Sequence, residues 1–266
     1  MERNDCFLRD GCVVVDLLNE QDLRVLREES ERLLRPGRPG FDSTILSADT
    51  EYRKAVDVSI RRCIAPSVDS LLTDYRIAFC TFVVKDARSD QSTVPMHQDW
   101  SFVDELRFIS IGLWCPLIDV DLENGCLQVV RGSHAFAYPP RAACTPFAYP
   151  QLIPYLQENC LHSLPIKAGQ ALLFDQRLFH CSPPNRGIQL RVAATAVLVP
   201  SKSKLRYYHA ANLREPDRIE VFEVEDSFYL SHIPGRRSEN GISLGVLDIN
   251  TSVPIDPVPS AGPPSR

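Results

Sequence analysis

No stretch of this chain approaches the ~18 consecutive apolar residues that a membrane-crossing helix needs, so no membrane span is expected. No C-x-x-C pair occurs among its nine cysteines, and their number is odd. A zinc-thiolate site and a disulfide framework are therefore both disfavoured. Several cysteines sit inside apolar runs, such as Cys80 in "AFCTFVV" and Cys115 in "GLWCPL". They read as small buried hydrophobes in a reducing compartment. No block of Lys and Arg stands out and the net charge is -5, which argues against a nucleic-acid partner. The opening "MERNDCFLRDG" is charged and lacks an apolar core, so it is not expected to be a signal peptide, and a cytoplasmic location is expected. Histidine is scarce, with six in 266 residues, so any arrangement that uses two of them is conspicuous.

What is present is globular. Hydrophobic residues make up 44% of the chain and charged residues 24%, enough for a sizeable core. Residues 12–16, "CVVVD", read as a short strand. Asn19 with Asp22 three residues on is a capping signal, followed by Leu23, Leu26, Leu33 and Leu34 at helical spacing and a Pro36-Gly37 stop. A second helical region spans about 50–73, interrupted at Pro66. From residue 75 short runs rich in β-branched and aromatic residues alternate with turn signals, among them Asn124-Gly125 and Pro183-Pro184-Asn185. The pattern suggests a β sandwich or barrel buttressed by helices. The buttress is expected over about 17–73 and the β core over about 75–210, within a single domain of 1–253. The segment "IEVFEVEDSFYL" fits a strand or a helix equally, and the proline-rich tail 254–266 is expected to be disordered.

One stretch stands out, "HQDW" at 97–100, for its H-x-D triplet. Most isolated H-x-D triplets are ordinary polar strand starts. In a strand, however, residues i and i+2 share a face, so His97 and Asp99 would point together into the core and Gln98 away. They would form two-thirds of a facial set of two histidines and one carboxylate, which leaves three metal positions open. His180 stands out as the third member, at the end of the apolar run "ALLFDQRLFH" and 83 residues after His97. Eleven residues further, Arg191 is a lone cation heading an otherwise apolar strand. Such an arginine needs an anionic partner, because an unpaired buried charge costs several kcal/mol. The partner is either a nearby acid or a ligand carboxylate matched to the guanidinium fork. A 2-oxo acid could fill two metal positions and O2 the third, with its far carboxylate on Arg191.

In "MHQDW", "LWCPLIDVDLENGCLQVVRGSH" (113–134) and "LLFDQRLFHCSPPNRGIQLRVAA" (172–194), the chain resembles the phytanoyl-CoA dioxygenase family of Fe(II)/2-oxoglutarate oxygenases over roughly residues 8–200. The resemblance implies a mainly β fold, a double-stranded β-helix (a cupin-like jelly roll) with N-terminal helices packed outside. It implies His97, Asp99 and His180 as Fe(II) ligands and Arg191 as the anchor of 2-oxoglutarate. Ser182 matches a hydroxyl that assists the arginine. Trp114 and Thr81 fall where similar enzymes line the co-substrate pocket, and Gln98 lies within the binding triplet. Similar enzymes use a further upstream polar or basic residue. Lys85 is a candidate for it, although an exposed hairpin lysine is the plainer reading.

Other residues carry blander readings beside the functional ones. His134 is read as fixing a turn rather than binding metal. Asp175 and Arg177 either pair with each other or meet substrate. Trp100, Phe102, Tyr207 and Tyr208 could line a substrate cavity, although aromatics near strands are more often core. The segments 86–95 and 135–160 are expected to form lids. The function implied is a dioxygenase, with Fe(II), 2-oxoglutarate and O2, that oxidises a small molecule, hydroxylation being the default and secondary metabolism one setting. The carboxylate of Asp99 disfavours the halogenation carried out by relatives that lack it. Two other classes remain open: a metal-binding jelly roll without oxygenase activity, and a zinc hydrolase on the same three ligands. Nothing in the chain fixes the substrate or the oligomeric state.

Overall fold

The computed structural model describes residues 2–136, 140–143, 145, 147–210 and 218–248; the tail expected from residue 254 lies outside them. A helix that the charged N-terminus does not announce, α1 (Glu2–Asp10), precedes the expected strand β1 (Cys12–Asp16). The helix α2 (Glu20–Leu33) begins where the capping signal puts it, with Asn19 Oδ1 accepting from the Asp22 amide at 2.9 Å. After a short strand, β2 (Phe41–Ser43), the helix α3 (Thr50–Leu71) runs on through Pro66 instead of breaking there. A proline inside a helix costs about 3 kcal/mol. Against that, Val56, Ile60, Ile64 and Val68 are each no more than 1% exposed. Each such burial contributes roughly 1.5–3 kcal/mol, so the apolar face outweighs the lost hydrogen bond.

The remaining elements are mostly strands: β3 (Tyr75–Lys85), β4 (Val94–His97), β5 (Ile111–Pro116), β6 (Leu127–Val130), the helix α4 (Ile153–Asn159), β7 (Leu161–Leu164), β8 (Gln170–Asp175), β9 (His180–Ser182), β10 (Arg191–Pro200), β11 (Leu205–Ala210), β12 (Arg218–Val224), the helix α5 (Phe228–Ser231) and β13 (Ile242–Asp248). The ambiguous segment near 219–230 thus holds both a strand and a helix, β12 and α5. A six-stranded sheet runs β1-β8-β5-β10-β3-β2 and a four-stranded sheet β4-β9-β6-β7, with every pairing antiparallel. They face each other across a cavity, which is the expected jelly roll. The strands β11, β12 and β13 form a third sheet, of which β13 lay unannounced in the sequence.

Period-2 alternation assigns the two faces of the large sheet. Cys80 and Phe82 of β3 and Cys115 of β5 pack into one core with Leu26 of α2 and Ile60 and Ile64 of α3. Their neighbours Phe79, Thr81 and Val83, with Gly112 and Trp114, face the cavity instead. The helices therefore buttress the outside of the sheet, as expected. A bulge between Val197 and Leu198 of β10 leaves Ala78 of β3 without a ladder partner. Arg61 of α3 takes up the freed carbonyls of Ile77 and Ala78, and Asp57 accepts the Cys80 amide at 2.7 Å.

All eight cysteines among the described residues are unpaired and six are buried, in keeping with their reading as small core residues. No helix among the described residues is long and apolar enough to cross a membrane.

Candidate metal centre and cavity

The strands β4 and β9 pair antiparallel so that His97 lies directly opposite His180. Directly opposed residues project to the same face, and the two rings stand 4.1 Å apart between centroids. The ring Nδ1 of His97 meets the Pro95 carbonyl at 2.8 Å, and that of His180 meets the Leu178 carbonyl at 2.9 Å. Only a protonated Nδ1 can bond to a carbonyl, so both Nε2 atoms are left as lone-pair donors turned to one centre. Asp99 Oδ1 lies 3.8 Å from each Nε2. The three ligand atoms lie within 4.8 Å of one another, the spacing of donors around a single ion. Burial, and then the neighbouring His180, push His97 down to about 4, which keeps its imidazole neutral.

His97 and Asp99 share a face as expected, but only His97 lies within a strand. The strand β4 ends at His97, and Asp99 stands beyond it, its amide donating to the Gln176 carbonyl at 3.1 Å. Gln98, expected to point away, lines the cavity as well. It is buried, and its side-chain amide donates to the Arg177 carbonyl at 2.7 Å. The end of the triplet is thus held against the 175–178 turn. Arg141 pins its far side. Its Nε donates to the Asp99 carbonyl at 2.6 Å while its guanidinium pairs with Glu105 at 2.5 Å.

These residues form one end of a cavity of about 430 Å³ between the sheets, a size ordinary for small-molecule sites. Arg191, Ser182, Trp114, Thr81 and Gln98 all reach its wall. The hydroxyl of Thr81 is spent on the fold, bonded to Thr44 Oγ1 at 2.7 Å and to the Ile45 amide at 2.9 Å. Thr81 therefore anchors the cavity wall at 43–46 and does not offer a hydroxyl to a ligand.

Arg191 is 1% exposed. One guanidinium nitrogen donates to the Gly125 carbonyl at 3.2 Å, the group lies 5.2 Å from the Trp114 ring centre, and Nε has no partner. Burial alone pulls its pKa down to about 9. Among the described residues no carboxylate pairs with it, so the salt-bridge alternative finds no partner.

Lys85 corrects the plainer expectation of an exposed hairpin lysine. It is fully buried at the end of β3, directly opposite Arg191 in the ladder. It lies behind the cavity wall and donates to the carbonyls of Ser182 and Pro183. Its neighbour Gly125 has φ 83°, and a Cβ there would come within 2.6 Å of the Pro183 carbonyl. Sequence reasoning named Lys85 as a candidate but favoured the exposed reading, because a lysine at a strand end before "DARSD" is ordinarily solvated. Its cross-strand position shows only in the β3–β10 register.

Burial, and then the charge of Arg191, bring Lys85 from 10.5 down to about 7. Between those values the unfolded chain holds a proton that the folded chain has lost. Stability of the ligand-free protein should therefore rise with pH over that window, by up to ~1.4 kcal/mol per unit from this one group. Below about pH 7 both states are protonated and the penalty is complete. Lys85→Met should flatten the slope. Urea melts of both proteins from pH 7 upward measure the difference, which includes the change that losing the Lys85 charge makes to its neighbours Arg191, Cys126 and Cys181. An identical slope in the variant would place the titration elsewhere.

The other singled-out residues divide cleanly. Asp175 and Arg177 pair with each other, Nη2 to Oδ2 at 2.5 Å. His134 is buried against the Leu8 carbonyl at 3.2 Å, outside the metal centre. Trp100 and Phe102 line the cavity, whereas Tyr207 and Tyr208 are core, with hydroxyls donated to the carbonyls of Arg236 and Val103. Of the two expected lids, 93–95 reaches the wall, but none of the described residues in 135–160 does. Phe136, Phe147 and Tyr149 of that segment pack instead on Phe179, behind β9. The wall is completed by Phe41, Ile45 and Leu46, which no motif marked. Arg53 of α3 holds that segment through the Ile45 carbonyl at 3.4 Å and the His232 carbonyl at 2.6 Å.

Comparison with known proteins places this geometry. No curated protein matches the chain. Among solved structures, the epimerase SnoN in complex with Fe3+, alpha ketoglutarate and nogalamycin RO is 21% identical with a TM-score of 0.57, covering 91% of this chain and 94% of that one. The alpha-ketoglutarate-dependent carbocyclase SnoK from nogalamycin biosynthesis is 18% identical with a TM-score of 0.57, covering 92% and 95%. HygX from Streptomyces hygroscopicus, with nickel and 2-oxoglutarate bound, is 16% identical with a TM-score of 0.55, covering 76% and 87%. At such identities the likeness establishes the fold. The family described as phytanoyl-CoA dioxygenase (PhyH) matches residues 7–193, from α1 into β10, a span that contains the triplet, His180 and Arg191. The chain belongs to the phytanoyl-CoA dioxygenase family of iron- and 2-oxoglutarate-dependent oxidoreductases.

Proposed function

We propose that this protein is an Fe(II)- and 2-oxoglutarate-dependent dioxygenase that hydroxylates a small molecule. The donor set fits the metal. Two imidazoles whose Nδ1 atoms are held by carbonyls, with one carboxylate, suit a divalent ion of borderline hardness and leave open positions on it. His97, Asp99 and His180 would hold the iron. Arg191 would bind the far carboxylate of 2-oxoglutarate, with Ser182 beside it and Trp114 against its guanidinium. With 2-oxoglutarate and O2, the bound iron supplies a two-electron oxidant, and succinate and CO2 are released. The chain's own residues do the positioning. Lys85 holds the turn after Ser182, Gly125 leaves room for Lys85 and accepts from Arg191, and Arg141 fixes the backbone that presents Asp99.

The observation that carries this reading is the pairing of a complete donor set with a buried, unpaired guanidinium on the same cavity. A metal-binding protein without oxygenase activity gives the guanidinium nothing to do. A zinc hydrolase needs a general base beside the metal. The ionisable residues lining the cavity, among those described, are only the three donors and Arg191.

The test is succinate formation by the purified protein with Fe(II), 2-oxoglutarate and O2, without added substrate, since uncoupled turnover is expected to be slow but measurable. Activity should vanish when zinc replaces iron. Tight iron binding with no succinate would leave the metal-binding jelly roll as the better account.

A further inference from the structure

The cavity carries charge only at its metal end. Its ionisable wall residues, among those described, are His97, Asp99, His180 and Arg191, all occupied under the reading above. Beyond them the surface is apolar, with Phe41, Ile45, Leu46, Phe79, Phe102 and Val197. Most polar residues at the wall have turned their hydrogen bonds into the fold. Thr93 Oγ1 donates to the Asp90 carbonyl at 2.9 Å, Thr195 Oγ1 to the Thr81 carbonyl at 3.3 Å, and Ser43 Oγ lies 3.3 Å from Thr81 Oγ1. A charged substrate would lose its water here and meet no counter-ion, a cost that excludes it.

Gln176 behaves differently. It reaches the wall and is fully buried, yet neither its side-chain oxygen nor its nitrogen has a partner. Its backbone is fixed, the amide donating to the Ser110 carbonyl and the carbonyl accepting from the Asp99 amide, so the residue adjoins Asp99 on the same wall. Ser110 Oγ also lacks a partner, but it lies off the wall. A buried primary amide with both ends open is costly unless something arrives to bond it.

Resting on the oxygenase reading, we propose that the substrate is an uncharged, largely apolar molecule bearing one hydroxyl or carbonyl group, which the Gln176 side chain holds. The amide can donate to a carbonyl or accept from a hydroxyl, and its place beside Asp99 sets which part of the substrate lies near the metal.

The chain has two tryptophans, Trp100 and Trp114, and both line this cavity, so intrinsic emission reports its contents. The experiment uses the full chain loaded with zinc and 2-oxoglutarate, so that nothing turns over. It is titrated with four ultraviolet-transparent probes of one shape: 1-adamantanol, 1-chloroadamantane, adamantane-1-carboxylate and 1-adamantylammonium. The two neutral probes are expected to bind at least about tenfold more tightly than either charged one, a difference of about 1.4 kcal/mol. Gln176→Leu should weaken 1-adamantanol by about tenfold and leave 1-chloroadamantane unchanged. Unchanged binding of the chloride also shows that the variant is folded, and Gln176→Met serves if it is not.

Binding of a charged probe as tightly as the alcohol, or no emission change with any probe, would overturn the substrate class. Loss of both neutral probes, or of neither, in the Gln176 variants would assign the amide to the wall alone. Binding of 2-oxoglutarate is measured first on the zinc-loaded protein. If it fails, the oxygenase reading has failed; if it holds and the alcohol does not bind, only the substrate class has.

Discussion

Asp99→Ala is expected to abolish succinate formation and to lower iron affinity by about 100-fold or more, while leaving the ligand-free fold intact. The argument for the loss is that Asp99 supplies the anionic member of the donor set, 3.8 Å from each imidazole nitrogen. Removing even an outer partner of a ligand typically costs 10–100-fold in metal affinity. Removing the ligand itself should cost more. The argument for an intact fold is that the Asp99 side chain is about a third exposed to the cavity and its position is held by backbone, through Gln176 and Arg141. Substitutions of such side chains usually stay within ±0.5 kcal/mol. Metal content after reconstitution, with a thermal melt of the apoprotein, checks both halves. A variant that keeps wild-type iron and turnover would remove Asp99 from the centre.

Arg191→Met is expected to move binding and stability in opposite directions. A guanidinium holding a carboxylate makes hydrogen bonds worth about 1.5–3 kcal/mol each. Losing two of them lowers 2-oxoglutarate affinity by about 100-fold or more. The same change removes a buried cation that has no carboxylate among the described residues and that faces Lys85 across the ladder. Replacing buried charge by a well-packed hydrophobe is often neutral or stabilising by 1–4 kcal/mol. The hydrogen bond to Gly125 that is forfeited offsets only about 1 kcal/mol of that gain. The apoprotein should therefore melt higher than wild type, and added 2-oxoglutarate should stabilise it less. Calorimetric titration with 2-oxoglutarate on the zinc-loaded protein and paired melts give both signs. Undiminished 2-oxoglutarate affinity would sink the anchor assignment. A lower apo melting temperature would mean that packing against Trp114 outweighs the desolvated charge.

Several features were legible in the chain because they are set locally. Asn19 with Asp22 predicts where α2 begins, because a cap needs only its own first turn. The alternation in "RIAFCTFVVKD" and "QLRVAATAVLVP" marks two long strands, because pleat and burial share a period of two. His97, Asp99 and His180 stood out because so few histidines are present and because the surrounding blocks resemble one family. Tertiary contacts then extend or override the local rules. His97 and Asp99 do share a face, but only His97 lies in a strand, and Asp99 is held by the 175–178 turn and by Arg141. Pro66 was expected to interrupt a helix, but the tertiary burial of Ile60, Ile64 and Val68 exceeds what proline costs.

The sequence by itself singled out the three candidate donors, the cation at the head of β10 and the β-rich class, since residue identity, short-range periodicity and the family resemblance suffice for these. Only the tertiary structure decided that Lys85 is buried opposite Arg191, that Phe41, Ile45 and Leu46 complete the cavity wall while Phe136, Phe147 and Tyr149 pack on Phe179, and that Gln176 reaches the wall with an open amide. The physical reason is that burial and hydrogen-bond satisfaction belong to pairs of residues far apart in the chain. Strand register and sheet packing fix those pairs, and neither is written in the spacing of any single motif.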